Sequence, residues 1–484
     1  MQNVWSITGR SIAVSALALA LTACQSMRGP EPVAQAEIPS SYSMSSDGQS
    51  VAEQGYKDFF ADARLVQVLD LAIANNRDLR TAALNIQRAQ QQYQITQNNQ
   101  LPTIGVSGDI TRQTQVSAYG ATKPTTIYRV GLGVTAYEFD FWGRVRSLKD
   151  NALDTYLATA SARDATQIAL IGQVAQAWLA YSYANANLKL AEQTLKAQLE
   201  SYNLNKKRFD VGIDSELPVR QAQISVETAR SDVAEYKTQV EQAQNLLNLL
   251  VGQQVPTTLL PQNRVSNVTS TQIFNTGLPS DLLVNRPDVR AAEFRLSAAG
   301  ANIGAARAAL YPTIRLSGSA GFASRELSDL FKSGSQVWSI GPSLDIPLWD
   351  WGTRKANIKI SETDQKIMLS DYEKAIQSAF REVNDALAVR KNIADRVAAQ
   401  TRLVDATNTT YKLSTARFRA GIDSYMTVLD AQRSAYAAEQ GLLLLEQANL
   451  NNQVELYKTL GGGLKERSSD NLPQPLSSQE QRQK

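Results

Sequence analysis

Met426, Asp430 and Arg433 are spaced four and then three residues apart, which puts a thioether, a carboxylate and a guanidinium on one face of a helix. One reading is local: Asp430 and Arg433 form an i,i+3 ion pair on a solvated helix start, contributing a few tenths of a kcal/mol. The other is that the face lines a narrow bore, where repeated carboxylates repel anions and attract cations. Enzymatic readings are few. The chain has 484 residues with no histidine and one cysteine. Catalytic Ser-His-Asp or Cys-His sets, zinc sites and histidine ligand clusters are therefore excluded, and no cofactor is called for. Carboxylate-only hydrolysis of cell-wall sugars survives that filter, but it needs two inward carboxylates beside aromatic platforms. A net charge of +3 over 49 basic and 46 acidic residues makes no case for nucleic acid or an acidic partner.

The lone cysteine has its own context. Arg10 is followed by the apolar run Ile12–Leu21, too short to span a membrane as a mature helix, and the run ends Leu21-Thr22-Ala23-Cys24. This resembles the lipobox of bacterial lipoproteins. The resemblance implies a signal peptide over 1–23, cleavage before Cys24, and acylation of both the Cys24 sulfur and its new amine. Two or more acyl chains anchor stably. Ser26, where a retention signal would carry Asp, implies outer-membrane delivery. Residues 24–57, rich in Pro, Ser and Gln, read as an extended lipidated tether.

The elements that carry these residues come in duplicate. Arg208–Ser215 reads RFDVGIDS and Arg417–Ser424 reads RFRAGIDS. LPTI at 101–104 recurs as YPTI at 311–314, Trp142-Gly143 as Trp351-Gly352, and Leu250-Val251-Gly252 as Thr459-Leu460-Gly461. Anchors in one order at a constant offset of about 209 residues mean two copies of one unit. The copies occupy 58–280 and 281–463, with a tail at 464–484. Between Pro124 and Pro218, and between Pro347 and Pro473, there is no proline. These stretches predict long helices at 145–208 and 353–416, each a rod of about 100 Å. Val174, Tyr181, Leu188, Leu195 and Tyr202 mark a seven-residue seam on the first rod. Shorter helices at 216–250 and 424–459 match half a rod each, and helices at 60–100 and 284–310 supply the remainder. Two half-helices are thus expected end to end beside each long one, with the link 252–280 at that midpoint.

Strand-like alternation fills the space between. Ile104, Val106, Gly108 and Ile110 alternate with Ser107, Asp109 and Thr111; Tyr128, Val130, Leu132, Val134 and Ala136 follow a loop at 119–125. The second copy gives Ile314, Leu316, Gly318, Ala320 and Phe322. After a loop at 324–336 come Trp338, Ile340, Leu344, Ile346 and Leu348. Runs of about 10–13 residues suit tilted membrane strands. Trp142, Trp338, Trp349, Trp351, Phe139 and Phe141 gather at strand ends like an interfacial girdle. Four strands cannot close a barrel, and an open edge in lipid leaves backbone groups unsatisfied. Several copies must pool their strands, and the count alone allows two, three or four.

From about Asp58 to Gly463 the chain resembles the outer-membrane efflux factors of the TolC/OprM type, in their lipoprotein branch. The resemblance is carried by NRPDVRAAEFRLSAAGANIGAARAALYPTI (285–314), IPLWDWGTR (346–354), FRAGIDSYMTVLDAQRS (418–434) and NQVELYKTLGGG (452–463). It implies a mainly α fold with transmembrane β: a homotrimer whose 12-stranded β-barrel in outer-membrane lipid continues into a 12-helix periplasmic α-barrel. It further implies a passive, gated multidrug channel working with a periplasmic adaptor and an inner-membrane drug/proton antiporter. The same resemblance places the closed constriction at Met426 and Asp430 and assigns Phe418 and Arg433 to the latch contacts. The family commonly has Leu at the first position and Tyr at the Phe418 position, so a latch hydroxyl is missing here. Gly212-Ile213-Asp214 and Gly421-Ile422-Asp423 are the loops an adaptor would grip. In the first copy Pro218 and Gln221 replace Thr427 and Asp430, so the tips are not equivalent. The competing expectation is a periplasmic adaptor lipoprotein, which has a single hairpin and no duplication.

Overall fold

The computed structural model describes residues 27–35, 54–116, 122–270 and 286–462; Cys24, the signal peptide, most of the tether and the tail lie outside the described residues. After a single helical turn at Tyr56–Phe59, the elements are α1 (Ala63–Asn75), α2 (Arg77–Asn98), β1 (Ile104–Val116), β2 (Thr122–Phe139), α3 (Arg144–Asp210) and α4 (Glu216–Val251). The second copy follows with α5 (Pro287–Ala308), β3 (Thr313–Ser324), β4 (Gln336–Asp345), α6 (Thr353–Arg419) and α7 (Tyr425–Thr459). Contacts divide the chain into a strand-bearing unit (Met1–Gln35, Asn85–Thr159, Ala291–Glu373) and a helical unit (Ala36–Leu84, Ala160–Arg290, Lys374–Lys484). Each unit takes pieces from both repeats.

The two long helices are continuous over 67 residues each. Their ends are alike. Gly212 (φ 76°) and Gly421 (φ 74°) supply the left-handed residue, and Ile213 N donates to Arg208 O as Ile422 N donates to Arg417 O, at 2.9 and 3.0 Å. The expected heptad seam is displaced. Val174 is fully buried, but Tyr181, Leu188, Leu195 and Tyr202 are only half-buried; Ala191, Gln198 and Asn205 form the deeper line at the same seven-residue step.

In place of one helix over 60–100 the chain breaks at Asn76. Asn76 Nδ2 donates to Leu250 O at the end of α4, and its Oδ1 accepts from Leu79 N at the start of α2, both at 2.8 Å. The second repeat makes the same junction with a different side chain: Arg286, just before α5, donates from Nη1 to Thr459 O of α7 at 3.2 Å. The half-helices of each repeat therefore meet end to end in the helical unit, as expected. The described part of the link, 252–270, runs along α3, where Trp178 Nε1 donates to Leu259 O (3.0 Å) and Tyr183 Oη to Val265 O (3.0 Å). At the first junction Gly252 holds φ 80°, and a Cβ there would lie 2.5 Å from Asn75 O. Gly252→Ala is expected to destabilise the chain by about 1–3 kcal/mol through strain and this clash; a lower urea midpoint at unchanged slope checks it.

The strand-bearing unit contains one antiparallel sheet in the order β1-β2-β3-β4. β2 has 18 residues, longer than expected, because it begins at Thr122 inside the supposed loop; residues 117–121 lie outside the described residues. β4 ends at Asp345, so Ile346 and Leu348 lie beyond it. The 324–336 connection holds a short 3-10 turn, Leu327–Asp329. Within residues 27–35, expected as part of an extended tether, Arg28 is held: its Nη2 donates to Ser297 O (2.8 Å) and Ser297 Oγ (2.6 Å).

Candidate functional site: a two-faced sheet and a helical tip

Cross-strand partners share a face, so the ladder sorts the side chains directly. One face carries the rows Ile104–Val134–Gly318–Ile340 and Val106–Leu132–Ala320–Trp338. The opposite face carries Gly105–Gly133–Ser319–Ser339 and the cross-strand ion pair Asp109–Arg129 at 3.3 Å. An irregularity between Val134 and Tyr137, with Ala136 at φ 51°, takes up one extra residue of β2. Beyond it Phe139–Ile314–Leu344 still fall on the apolar face, and Glu138–Arg315–Ser343 on the polar one. The bulge thus keeps the two faces in step on either side of the irregularity. Gly131 and Gly321 bring β2 and β3 so close that a Cβ on Gly321 would collide with Val130 O. No described helix is long and apolar enough to cross a membrane. The sheet is the element with a face for lipid, and among the described residues its edges β1 and β4 have no strand partner.

In the helical unit the gate candidates divide by exposure. Phe418 is 6 % exposed and packs with Ala222, Tyr425, Val428 and Leu429. Its ring lies 5.7 Å from that of Tyr425, and the Arg208 guanidinium stands over it at 5.2 Å. Burial pushes the Tyr425 hydroxyl up to about 12, with Tyr411 adding to the shift and Arg433 opposing it. Phe418 is thus a packing residue inside the chain, and the missing hydroxyl is compatible with that apolar nest. Met426 is 48 % exposed, and Asp430 and Arg433 are exposed too. Met426, Asp430 and Thr427 line one groove with Thr407, Thr410, Ser414 and Ser434. Among the described residues neither Asp430 nor Arg433 has an ion pair, so the local i,i+3 pair is not formed.

The tip loops are locked by their own charges. Asp423 accepts from Arg417 Nε and Nη2 at 2.7 and 2.8 Å, which holds its carboxyl below the usual range. Asp214 accepts one hydrogen bond from Arg208 Nε, at 3.3 Å. Ile213 and Ile422 stand exposed at the two tips beside Gly212 and Gly421. In the first repeat Gln221 is half-buried, and Glu216 pairs with Arg220 at 2.7 Å.

Sequence reasoning missed three features. The Arg286 guanidinium is buried between Asp288 (2.6 Å) and Glu382 (2.9 Å). Tyr436 Oη donates to Asp232 at 3.2 Å, and Gln440 Nε2 to Tyr236 Oη at 2.7 Å, tying α7 to α4. These partners stand 204 positions apart and leave no local signal. Arg208 over Phe418 was hidden in the repeated RF pair itself.

A chain with one sheet of this kind and paired long helices is a subunit of a bacterial outer-membrane channel. The sequence matches the family described as outer membrane efflux protein over residues 68–253 and 278–462, and the chain belongs to that family. It is 42% identical over 422 residues to the probable efflux pump outer membrane protein TtgC of Pseudomonas putida, covering 86% of each chain. To the solvent efflux pump outer membrane protein SrpC of the same species it is 43% identical over 441 residues, covering 90% of this chain and 93% of the relative. Among solved structures, the open state of the Neisseria gonorrhoeae MtrE outer membrane channel superposes with a TM-score of 0.83 at 36% identity, covering 91% of this chain and 99% of that one. The protein is an outer-membrane efflux channel with a periplasmic extension, and not an enzyme. The adaptor reading fails on the matched duplication.

Proposed function

We propose that three copies form the conduit, pooling their sheets into a 12-stranded barrel that continues into a 12-helix periplasmic barrel. Drugs and other small molecules pass through it passively from a periplasmic adaptor and an inner-membrane drug/proton antiporter, which supplies the energy. The observation that carries this reading is the segregated sheet with two unpaired edges, since closure with neighbours is the way to satisfy those edges in lipid. Acylation at Cys24 adds an anchor of its own.

The gate in this reading is the exposed face of α7. Met426 narrows the bore, Asp430 forms a ring of carboxylates, and Arg433, which has no ion-pair partner among the described residues, closes onto a neighbouring copy. Phe418 anchors that face from beneath through Tyr425 and Arg208. Adaptor contact at Gly212-Ile213-Asp214 and Gly421-Ile422-Asp423, chiefly through the exposed isoleucines, selects the open state. Asp430→Ala with Arg433→Ala is expected to raise single-channel conductance in planar bilayers several-fold, and Asp430→Ala alone to lower cation preference. Unchanged conductance in the double variant would discard the latch.

A further inference from the structure

Trp142 and Trp351 occupy corresponding places in the two repeats. Each precedes a left-handed glycine, Gly143 (φ 72°) or Gly352 (φ 88°), and then a 67-residue helix. Their surroundings differ. Trp142 Nε1 donates to Pro312 O at 2.7 Å, and its ring stacks on Tyr311 with centroids 4.7 Å apart. It is docked on the YPTI corner that opens β3. Trp351 is 89 % exposed, has Trp349 alone as a ring neighbour among the described residues (5.6 Å, edge-on), and holds φ 56°, a conformation a bulky residue seldom adopts.

The corner that corresponds to Tyr311-Pro312 is Leu101-Pro102, at the start of β1, and it too is open: Leu101 is 65 % exposed. The contact between the end of β2 and the start of β3 is made within the chain. Its counterpart, between the end of β4 and the start of β1, is bare on both sides. The backbone shows the same asymmetry, because β2 pairs with β3 while β4 and β1 are the free edges. The tip of the helical unit shows it as well. Arg208 covers Phe418, whereas among the described residues Arg417, turned to Asp423, makes no such contact with the exposed Phe209.

The geometry points to Trp351 docking on Leu101-Pro102 of the partner subunit, its indole Nε1 donating to the Pro102 carbonyl of the partner subunit. The occupant is a second copy of this chain, because the chain already contains the finished version of this contact. A buried indole normally finds an acceptor for its N–H, and the internal version uses a proline carbonyl at this place in the corner. Seated so, Trp351 fixes the register of β4 against β1 of the partner subunit, as Trp142 does for β2 against β3. This inference rests on the ring assembly proposed above.

Full-length, acylated protein carrying Leu101→Cys and Trp351→Cys, treated in outer membranes with a short bis-maleimide, tests it. Conversion of the monomer band into covalent dimer and trimer is expected, absent in either single-cysteine variant. A Trp142→Cys, Tyr311→Cys control should react within the chain and leave the band at monomer size. Trp351→Ala should also lower the temperature at which the ring dissociates in detergent. Trp338→Ala, which removes an exposed indole from the apolar face, should leave that temperature nearly unchanged. A ring that forms and conducts without cross-linking the pair, or a Trp351→Ala ring as heat-stable as the parent, overturns the contact and leaves the channel reading intact. A chain that forms no ring and conducts nothing overturns both.

Discussion

Replacing Leu132 with arginine is expected to remove the assembled channel from the outer membrane. Leu132 is exposed in the row Val106–Leu132–Ala320–Trp338, among side chains with no polar group that could take a charge. A guanidinium near the midplane of a lipid-facing strand costs roughly 2–4 kcal/mol, and a three-copy ring carries that cost three times. The contrasting variant is Ser107→Arg. Ser107 neighbours Val106 along β1 and lies on the opposite face, opposite Gly131. Here the ring should form, and the added positive charge should raise anion permeability. Heat-modifiable oligomer in outer-membrane fractions and reversal potentials in planar bilayers read the two outcomes. Equal loss of oligomer in both variants would mean that the two faces do not meet different solvents.

The second large effect is expected at the α5–α7 junction. Arg286→Ala removes a buried guanidinium that holds Asp288 and Glu382 and donates to Thr459 O. Breaking a buried ionic group by removing one partner costs about 3–5 kcal/mol. Both carboxylates keep some solvent access, so the lower end, about 3 kcal/mol, is expected. Arg286→Lys should recover only part, since one ammonium cannot reproduce the forked geometry. The junction should also be acid-sensitive. Burial raises the Asp288 carboxyl, but the Arg286 hydrogen bond and charge outweigh it, so its folded pKa falls below the ordinary 3.8. A depressed acid contributes stability above its unfolded pKa and loses it as pH drops through the folded value. The loss therefore begins below about pH 4. Arg286 is itself held above its usual range by Asp288 and Glu382 and stays charged across any working pH. Urea midpoints compared at pH 7 and pH 3 check this: the parent should lose stability in acid, and the alanine variant much less.

Much of the fold was readable because its signals are local. The helix expected at 145–208 is observed at Arg144–Asp210, and that at 353–416 at Thr353–Arg419. Absence of proline and a glycine stop define such helices without reference to the rest of the chain. The strand errors have equally definite causes. Gly, Thr and Pro at 119–125 read as a loop, yet β2 runs through Pro124. This part of β2 pairs with β1 alone, so the missing proline N–H interrupts no second ladder. At the other end Ile346 and Leu348 alternate properly, but Pro347 cannot donate, and β4 stops at Asp345. The helix over 60–100 looked unbroken because Asn76 is ordinary within its own window. What breaks it is the Leu250 carbonyl, 174 positions away.

The candidate gate was legible to the same depth. Spacing put Met426, Asp430 and Arg433 on one helix face, and all three are exposed there. Spacing could not tell that Asp430 and Arg433 leave each other unpaired, or that Phe418 turns inward under Arg208.

By itself the sequence determined the duplication, the lengths of the rods, the alternation of the strands and the exclusion of histidine and thiol chemistry, because each depends on residue identity over short windows. Only the tertiary structure decided which seam of α3 is buried, that Asn76 and Arg286 do one job with different side chains, and that Trp142 is docked while Trp351 stands bare. Those outcomes depend on groups some 170 positions apart or more, and two repeats of one unit diverge in them because each copy meets a different neighbour.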